Sequence, residues 1–173
     1  MIDGGVEEVG SVPDEVDRLV AAWARERPDL DVRPLEVLSR VTRLARHLDR
    51  ARRTAFAAHG LATWEFDVLA ALRREGRPYV LSPGQLIGQT MVSSGTMTNR
   101  VDRLENAGLV QRLPDPQDRR GVHVRLTPRG KERVDAALAD LLDRERALLK
   151  GLSRSDRETL SSLLRRLVVP FEE

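Results

Sequence analysis

The sequence predicts a mainly α-helical fold with a small antiparallel β wing: a winged helix-turn-helix carrying N- and C-terminal dimerisation helices. Three observations between residues 82 and 126 predict it. A short helix opens at Ser82-Pro83, where a capping hydroxyl precedes a first-turn proline and Gln85 completes a capping box. After a turn at Thr90-Met91-Val92, a second helix is expected from about Ser93 to Asn106, with Met97, Val101 and Leu104 on one face. A hairpin follows, with strands near 109–113 and 122–126; Val122, Val124 and Leu126 alternate with His123 and Arg125, as in a half-buried strand.

The flanking elements follow in order. Residues 1–11 read as a flexible acidic tail. Residues 12–59 are expected to hold an extra helix and a dimerisation helix. The first spans 13–26, with Pro13 at its first position and Val16, Leu19, Val20 and Trp23 on its apolar face. The second runs from Pro34 to about His59, its stripe formed by Leu35, Leu38, Val41, Ala45, Leu48 and Ala55, and Gly60 stops it. Residues 60–126 form the winged lobe, in which Thr63 caps a helix from Trp64 to about Glu75 with Phe66, Leu69, Ala70 and Leu72 as core. Gly76-Arg77-Pro78 breaks the chain, and Tyr79-Val80-Leu81 adds a third strand beside the hairpin. Residues 127–173 supply C-terminal dimerisation helices, opened by Thr127-Pro128 and again by Ser153 with Asp156. Their leucines (Leu138, Leu142, Leu160, Leu163, Leu164 and Leu167 among them) exceed what a small winged lobe covers, so they are expected to pack against a second copy.

Composition narrows the function. With no cysteine among 173 residues, disulfides, thiol switches and Cys-ligated metals are excluded. No apolar run approaches the ~20 residues of a membrane span, and the start lacks the pattern of a signal peptide, so a cytoplasmic protein is expected. His47, His59 and His123 have no metal-ligand spacing, Ser93-Ser94-Gly95 lacks a nucleophile-elbow context, and no phosphate loop is present. No enzyme, cofactor or metal is expected. The net charge of +2 combines −6 over residues 1–17 with +8 over the rest. Residues 92–129 hold seven arginines against four acids, a local excess that suits a polyanion.

Each piece of the central stretch has a use on DNA. The second helix suits the major groove, its N-terminal half (Ser93, Ser94, Gly95, Thr96, Thr98, Asn99) against base edges. Gly95 permits close backbone approach, and Asn99 suits adenine. Arg100 and Arg103 reach guanine or phosphate. At the hairpin tip Arg120, aimed by Asp118 and accompanied by Arg119, is placed for the minor groove.

The run from Ser94 to Glu105, the following Gly108-Leu109-Val110, and the wing signature from Asp115 through Arg120 to Thr127-Pro128 closely resemble the MarR family of transcription factors over roughly residues 33–169. The resemblance implies a homodimer on a pseudo-palindromic operator, released when a small molecule binds. A further similarity concerns the urate-responsive, PecS-like branch. It rests on Trp23 with Arg27 in an added N-terminal helix, Asp67 before the reader helix, and Arg100 and Arg112 in the winged lobe. It implies a site for a small anionic or phenolic ligand in which Trp23 stacks on a flat ring and arginine pairs with the anion. In that reading Asp67 bridges to Arg112 in the free protein, and an incoming anion disturbs the link and moves the reader helix.

Two other classes share these features: a winged protein-interaction or architectural DNA-binding module without an effector, and a small-molecule-binding protein that has lost DNA binding. A steep salt dependence of DNA binding separates the regulator from a protein-interaction module, because phosphate contacts release counterions.

Overall fold

A computed structural model of the chain describes residues 12–115 and 121–171. The order is α1 (Glu15–Glu26), α2 (Pro34–Ala58), α3 (Thr63–Arg74), β1 (Val80–Leu81), α4 (Pro83–Thr90), α5 (Ser94–Asn106), β2 (Val110–Pro114), β3 (Val122–Leu126), α6 (Pro128–Leu148) and α7 (Arg154–Val168), then a 3-10 turn at Val169–Phe171. The described residues are mostly helical, with a three-stranded antiparallel sheet ordered β1-β3-β2. They fall into two compact units that divide between Asp49 and Arg50, inside α2.

In the first unit, α1 begins two positions later than its proline predicts. Asp14 is the N-cap: its carboxylate accepts from the Val16 and Asp17 N–H groups (2.7 and 3.0 Å), and Asp17 accepts the Asp14 N–H in return (2.7 Å). A carboxylate that satisfies two orphan donors sets the helix start more strongly than the preset φ of Pro13. The same acids join α1 to α2. Arg40 donates to Asp14 (2.9 Å) and Asp17 (2.6 Å), and Arg43 pairs with Glu15. The Arg40 guanidinium, with the backbone N–H groups of Asp17 and Val16, lowers the Asp14 carboxyl from 3.8 to about 2. Val16 is buried, while Leu19, Trp23, Leu38, Val41 and Leu44 of this unit are exposed.

The second unit holds the core. Phe56 and Phe66 stack with centroids 3.9 Å apart, and Leu69, Leu72, Leu81, Leu86, Met97, Leu104 and Val124 are buried around them. Phe66, Leu69, Ala70 and Leu72 lie in this core as their spacing predicts. Thr63, expected to cap α3, is instead its first residue. The cap position is Ala62, which has no capping side chain; its own N–H is taken by Glu65 (2.8 Å), the half of a capping box that a residue inside the helix supplies. Tyr79, expected in β1, stands outside it with φ 61°, and its carbonyl accepts the Leu126 N–H (3.0 Å).

The hairpin and α6 are locked by close approach. Thr127 caps α6, accepting the Gly130 N–H (3.0 Å), and its hydroxyl lies 2.8 Å from the Gly108 carbonyl. A Cβ on Gly130 would lie 2.1 Å from the Leu109 carbonyl, so only glycine fits there. Across the unit, Asp135 of α6 accepts from Arg73 of α3 and from Lys131, each at 2.7 Å. Although α7 starts where Ser153 and Asp156 predict, none of its residues is buried within the chain.

Candidate nucleic-acid interface

The helix-turn-helix is built from local chemistry. The Ser82 hydroxyl accepts the Gln85 N–H (3.2 Å) and the Gln85 side chain accepts the Ser82 N–H (2.8 Å), which starts α4. Met91 ends α4 in a left-handed conformation, its side chain 92% exposed. Ser93 then caps α5, accepting the Thr96 N–H (3.4 Å) and meeting the Thr96 hydroxyl at 2.9 Å. Thr98 donates to the Ser94 carbonyl (3.2 Å).

At 3.6 residues per turn, α5 sorts its side chains into four sectors. Met97, Val101 and Leu104 face the core and are buried. Opposite them Gly95, Asn99 and Asn106 are exposed, beside the exposed Ser93, Ser94, Thr96 and Thr98. A Cβ on Gly95 would meet nothing within 4 Å, so no neighbour in the chain requires glycine there.

The two remaining sectors hold the charges, and each has one partner. On the hairpin side, Arg112 of β2 donates its backbone N–H to Glu105 (2.8 Å), and its guanidinium pairs with both Glu105 and Asp102. The Arg112 backbone N–H holds the Glu105 carboxyl below its ordinary range, burial opposes this, and the guanidinium adds to it. On the α3 side, the guanidinium carbons of Arg100 and Arg103 lie 5.4 and 4.9 Å from the centre of the Trp64 ring. Among the described residues neither arginine has a carboxylate partner; the acids of α5, Asp102 and Glu105, stand on the other flank and pair with Arg112. Trp64 was not singled out by the sequence reading. Trp64 stands one turn before Val68 and two before Ala71, both buried, so its spacing marks it as a packing residue and gives no sign of the arginines it meets.

The hairpin closes where the Asp115 N–H donates to the Gly121 carbonyl (3.0 Å). The wing-tip candidates Asp118, Arg119 and Arg120 lie outside the described residues.

A MarR family model matches residues 59–121. Over 153 residues the chain is 39% identical to the HTH-type transcriptional regulator PecS of Dickeya dadantii, covering 88% of this chain and 92% of that one. The chain belongs to the MarR family. Like its MarR-family relatives, it is a DNA-binding transcriptional regulator. A mutant MarR from E. coli complexed with operator DNA has 26% identity and a TM-score of 0.64, covering 84% of this chain and 97% of that one. BpsR of Bordetella bronchiseptica, whose structure concerns regulation of its DNA binding by 6-hydroxynicotinic acid, has 27% identity and a TM-score of 0.56, covering 74% and 98%.

The effector candidates of this MarR-family chain are distributed over both units: Trp23 and Arg27 in the first, Asp67, Arg100 and Arg112 in the second. Trp23 is 50% exposed, and Arg27 is held by Asp29 through two hydrogen bonds (2.8 and 2.6 Å). The expected Asp67–Arg112 bridge is not formed. Asp67 pairs with Arg52 of α2 (3.3 Å), while Arg112 is taken by Asp102 and Glu105. Arg112 sits on the strand that follows α5, so two carboxylates of that helix reach it first, and its own N–H adds a bond that Asp67 would have to replace. Arg112 also lines a cleft of about 200 Å³ with Pro83, Met97, Thr98, Val101 and Val122. Among the described residues no cluster of His, Asp and Glu is arranged to hold a metal, and no helix is long and apolar enough to cross a membrane.

Proposed function

We propose that this MarR-family regulator is a homodimeric repressor that occupies a pseudo-palindromic operator and leaves it when a small anionic or phenolic ligand binds, with urate as the first candidate. The observation that carries the DNA-reading assignment is the surface of α5. It combines an exposed Gly95 and Asn99 with two arginines, and among the described residues nothing crowds the glycine and no acid neutralises either arginine. A polyanion is the partner that such a surface lacks.

Dimerisation rests on α7 and the 3-10 turn after it. Leu163, Leu167, Val168 and Phe171 are 49%, 51%, 49% and 87% exposed, and a helix end this apolar is seldom left in water. Two copies would present two reader helices to two half-sites. The ligand reading rests on Trp23, Arg27, Asp67, Arg100 and Arg112, on the likeness to PecS, and on BpsR, whose DNA binding responds to a small aromatic acid. Because Arg112 clasps α5 and also lines a cleft, an anion that drew it away from Asp102 and Glu105 would free one flank of the reader helix.

The test is fluorescence anisotropy on DNA from upstream of the protein's own gene, beside a scrambled duplex, with and without urate, together with sedimentation to give the mass. Selective binding by a dimer, released by urate, supports the whole reading. Selective binding that urate leaves intact discards urate, and a monomer at working concentration discards the two-half-site arrangement.

A further inference from the structure

We infer that Trp64 is a positioning residue for DNA reading: its indole holds Arg100 and Arg103 in place and, opposite the Arg112 clasp, sets the rotation of α5 about its own axis. The inference rests on the assignment of α5 as the reader helix.

The helix carries Arg100, Asp102, Arg103 and Glu105 within two turns, and the pairs three residues apart are Arg100 with Arg103 and Asp102 with Glu105. The bases therefore share one flank and the acids the other, and neither set neutralises the other. Arg112 reaches across from β2 and takes both acids, on one flank. Trp64 reaches across from α3 and takes both guanidinium groups, on the other. The partner on the α3 side is uncharged, so both positive charges survive. A carboxylate at position 64 would have anchored the same arginines and cancelled their use on phosphate.

An indole also leaves the useful part of each arginine free. A guanidinium stacks through its face and donates hydrogen bonds through its edge, so a stacked arginine can still bind a phosphate oxygen. Stacking removes side-chain freedom before DNA arrives, and less ordering remains to be done in the complex. Trp64 is half-buried and packs against the core, so the platform is fixed to α3. Rotation of α5 in either direction would pull the arginines off the indole or the acids off Arg112. The outward sector of Gly95 and Asn99 is therefore aimed by two braces of opposite chemistry.

The experiment compares wild type, Trp64→Phe and Trp64→Leu on the native upstream duplex, with a cycle that adds Arg103→Gln. Phenylalanine keeps a face and is expected to bind within about threefold of wild type, whereas leucine loses it and is expected to bind about tenfold more weakly, the scale of two stacking contacts. In the cycle the leucine and glutamine losses should overlap, leaving the double variant within about threefold of the weaker single one. Leucine binding like wild type, or losses that simply multiply, would overturn the inference. Should Trp64→Leu not fold, Trp64→Met decides instead, since it fills the space with apolar side chain and removes the ring face. A loss of about tenfold supports the inference and unchanged affinity overturns it. Wild-type protein that binds no duplex at any salt concentration would overturn the reader assignment and this inference together, an outcome distinct from either variant result.

Discussion

Arg112 holds Glu105 twice, through its backbone N–H at 2.8 Å and through its guanidinium, and so ties the first strand of the hairpin to the C-terminal half of α5. The clasp fixes β2 against the reader helix. Replacing Arg112 with alanine leaves Asp102 and Glu105 without their cation and removes packing at the strand. A loss of about 1–2 kcal/mol in denaturant unfolding is expected, together with weaker DNA binding. Unchanged affinity in a protein destabilised to that extent would show that the clasp serves folding alone.

Asp67 and Arg52 are half-buried and their pair is long at 3.3 Å, so Asp67→Asn is expected to cost about 1 kcal/mol or less. If Asp67 belongs to an effector site, the concentration of ligand that releases DNA should shift while the melting temperature barely changes. Identical dose–response curves for the two proteins would remove Asp67 from that site.

Gly95 separates reading from folding. Its added Cβ would meet nothing in the chain, and alanine is the better helix former. Gly95→Ala is expected to match or exceed wild-type stability, by up to about 1 kcal/mol. Affinity for the native duplex should nevertheless fall if DNA backbone or base edges come close to this position. Melting curves and anisotropy on one preparation check both halves of the expectation.

Gly130 is the opposite case. A methyl group there would overlap the Leu109 carbonyl, and neither α6 nor the end of α5 has room to retreat without breaking the Thr127 cap. Gly130→Ala is expected to destabilise by about 3 kcal/mol or more, at the upper end of overpacking. Unfolding at the wild-type denaturant midpoint would refute the close approach.

Acid should loosen the link between α1 and α2. The folded carboxyl of Asp14 titrates at about 2, against 3.8 for a free side chain, chiefly because of Arg40. A depressed folded value means that the contribution is fully present above the free value, and it is lost as pH falls from about 4 through about 2. Melting temperatures of wild type and Asp14→Asn should therefore converge over that interval, and a constant difference down to the acid limit would argue against the Arg40 pairing.

Much of the architecture was legible before any coordinates. Ser82, Ser93, Thr127 and Ser153 cap the helices predicted from them, and Gly60, with φ 65°, follows the end of α2. The exposed sector of α5 was equally readable from its period. These are short-range effects: a cap or an apolar stripe depends on residues within a turn or two, which the sequence lists side by side. The two misplaced helix starts, at Asp14 and Ala62, fall where a carboxylate accepts a nearby backbone N–H: Asp14 from Val16 and Asp17, and Glu65 from Ala62.

What only the tertiary structure decided was which distant side chain each charge would meet. Asp67 went to Arg52 and not to Arg112; Arg112 gathered both acids of the reader helix; Trp64 received both arginines. Arginines make up nearly all the bases of this chain, so residue type could not choose among so many equivalent partners. The choice depends on how α2, α3, α5 and β2 approach one another. That is set by the burial of Phe56, Phe66, Met97 and Leu104, a many-body packing outcome that no local spacing encodes.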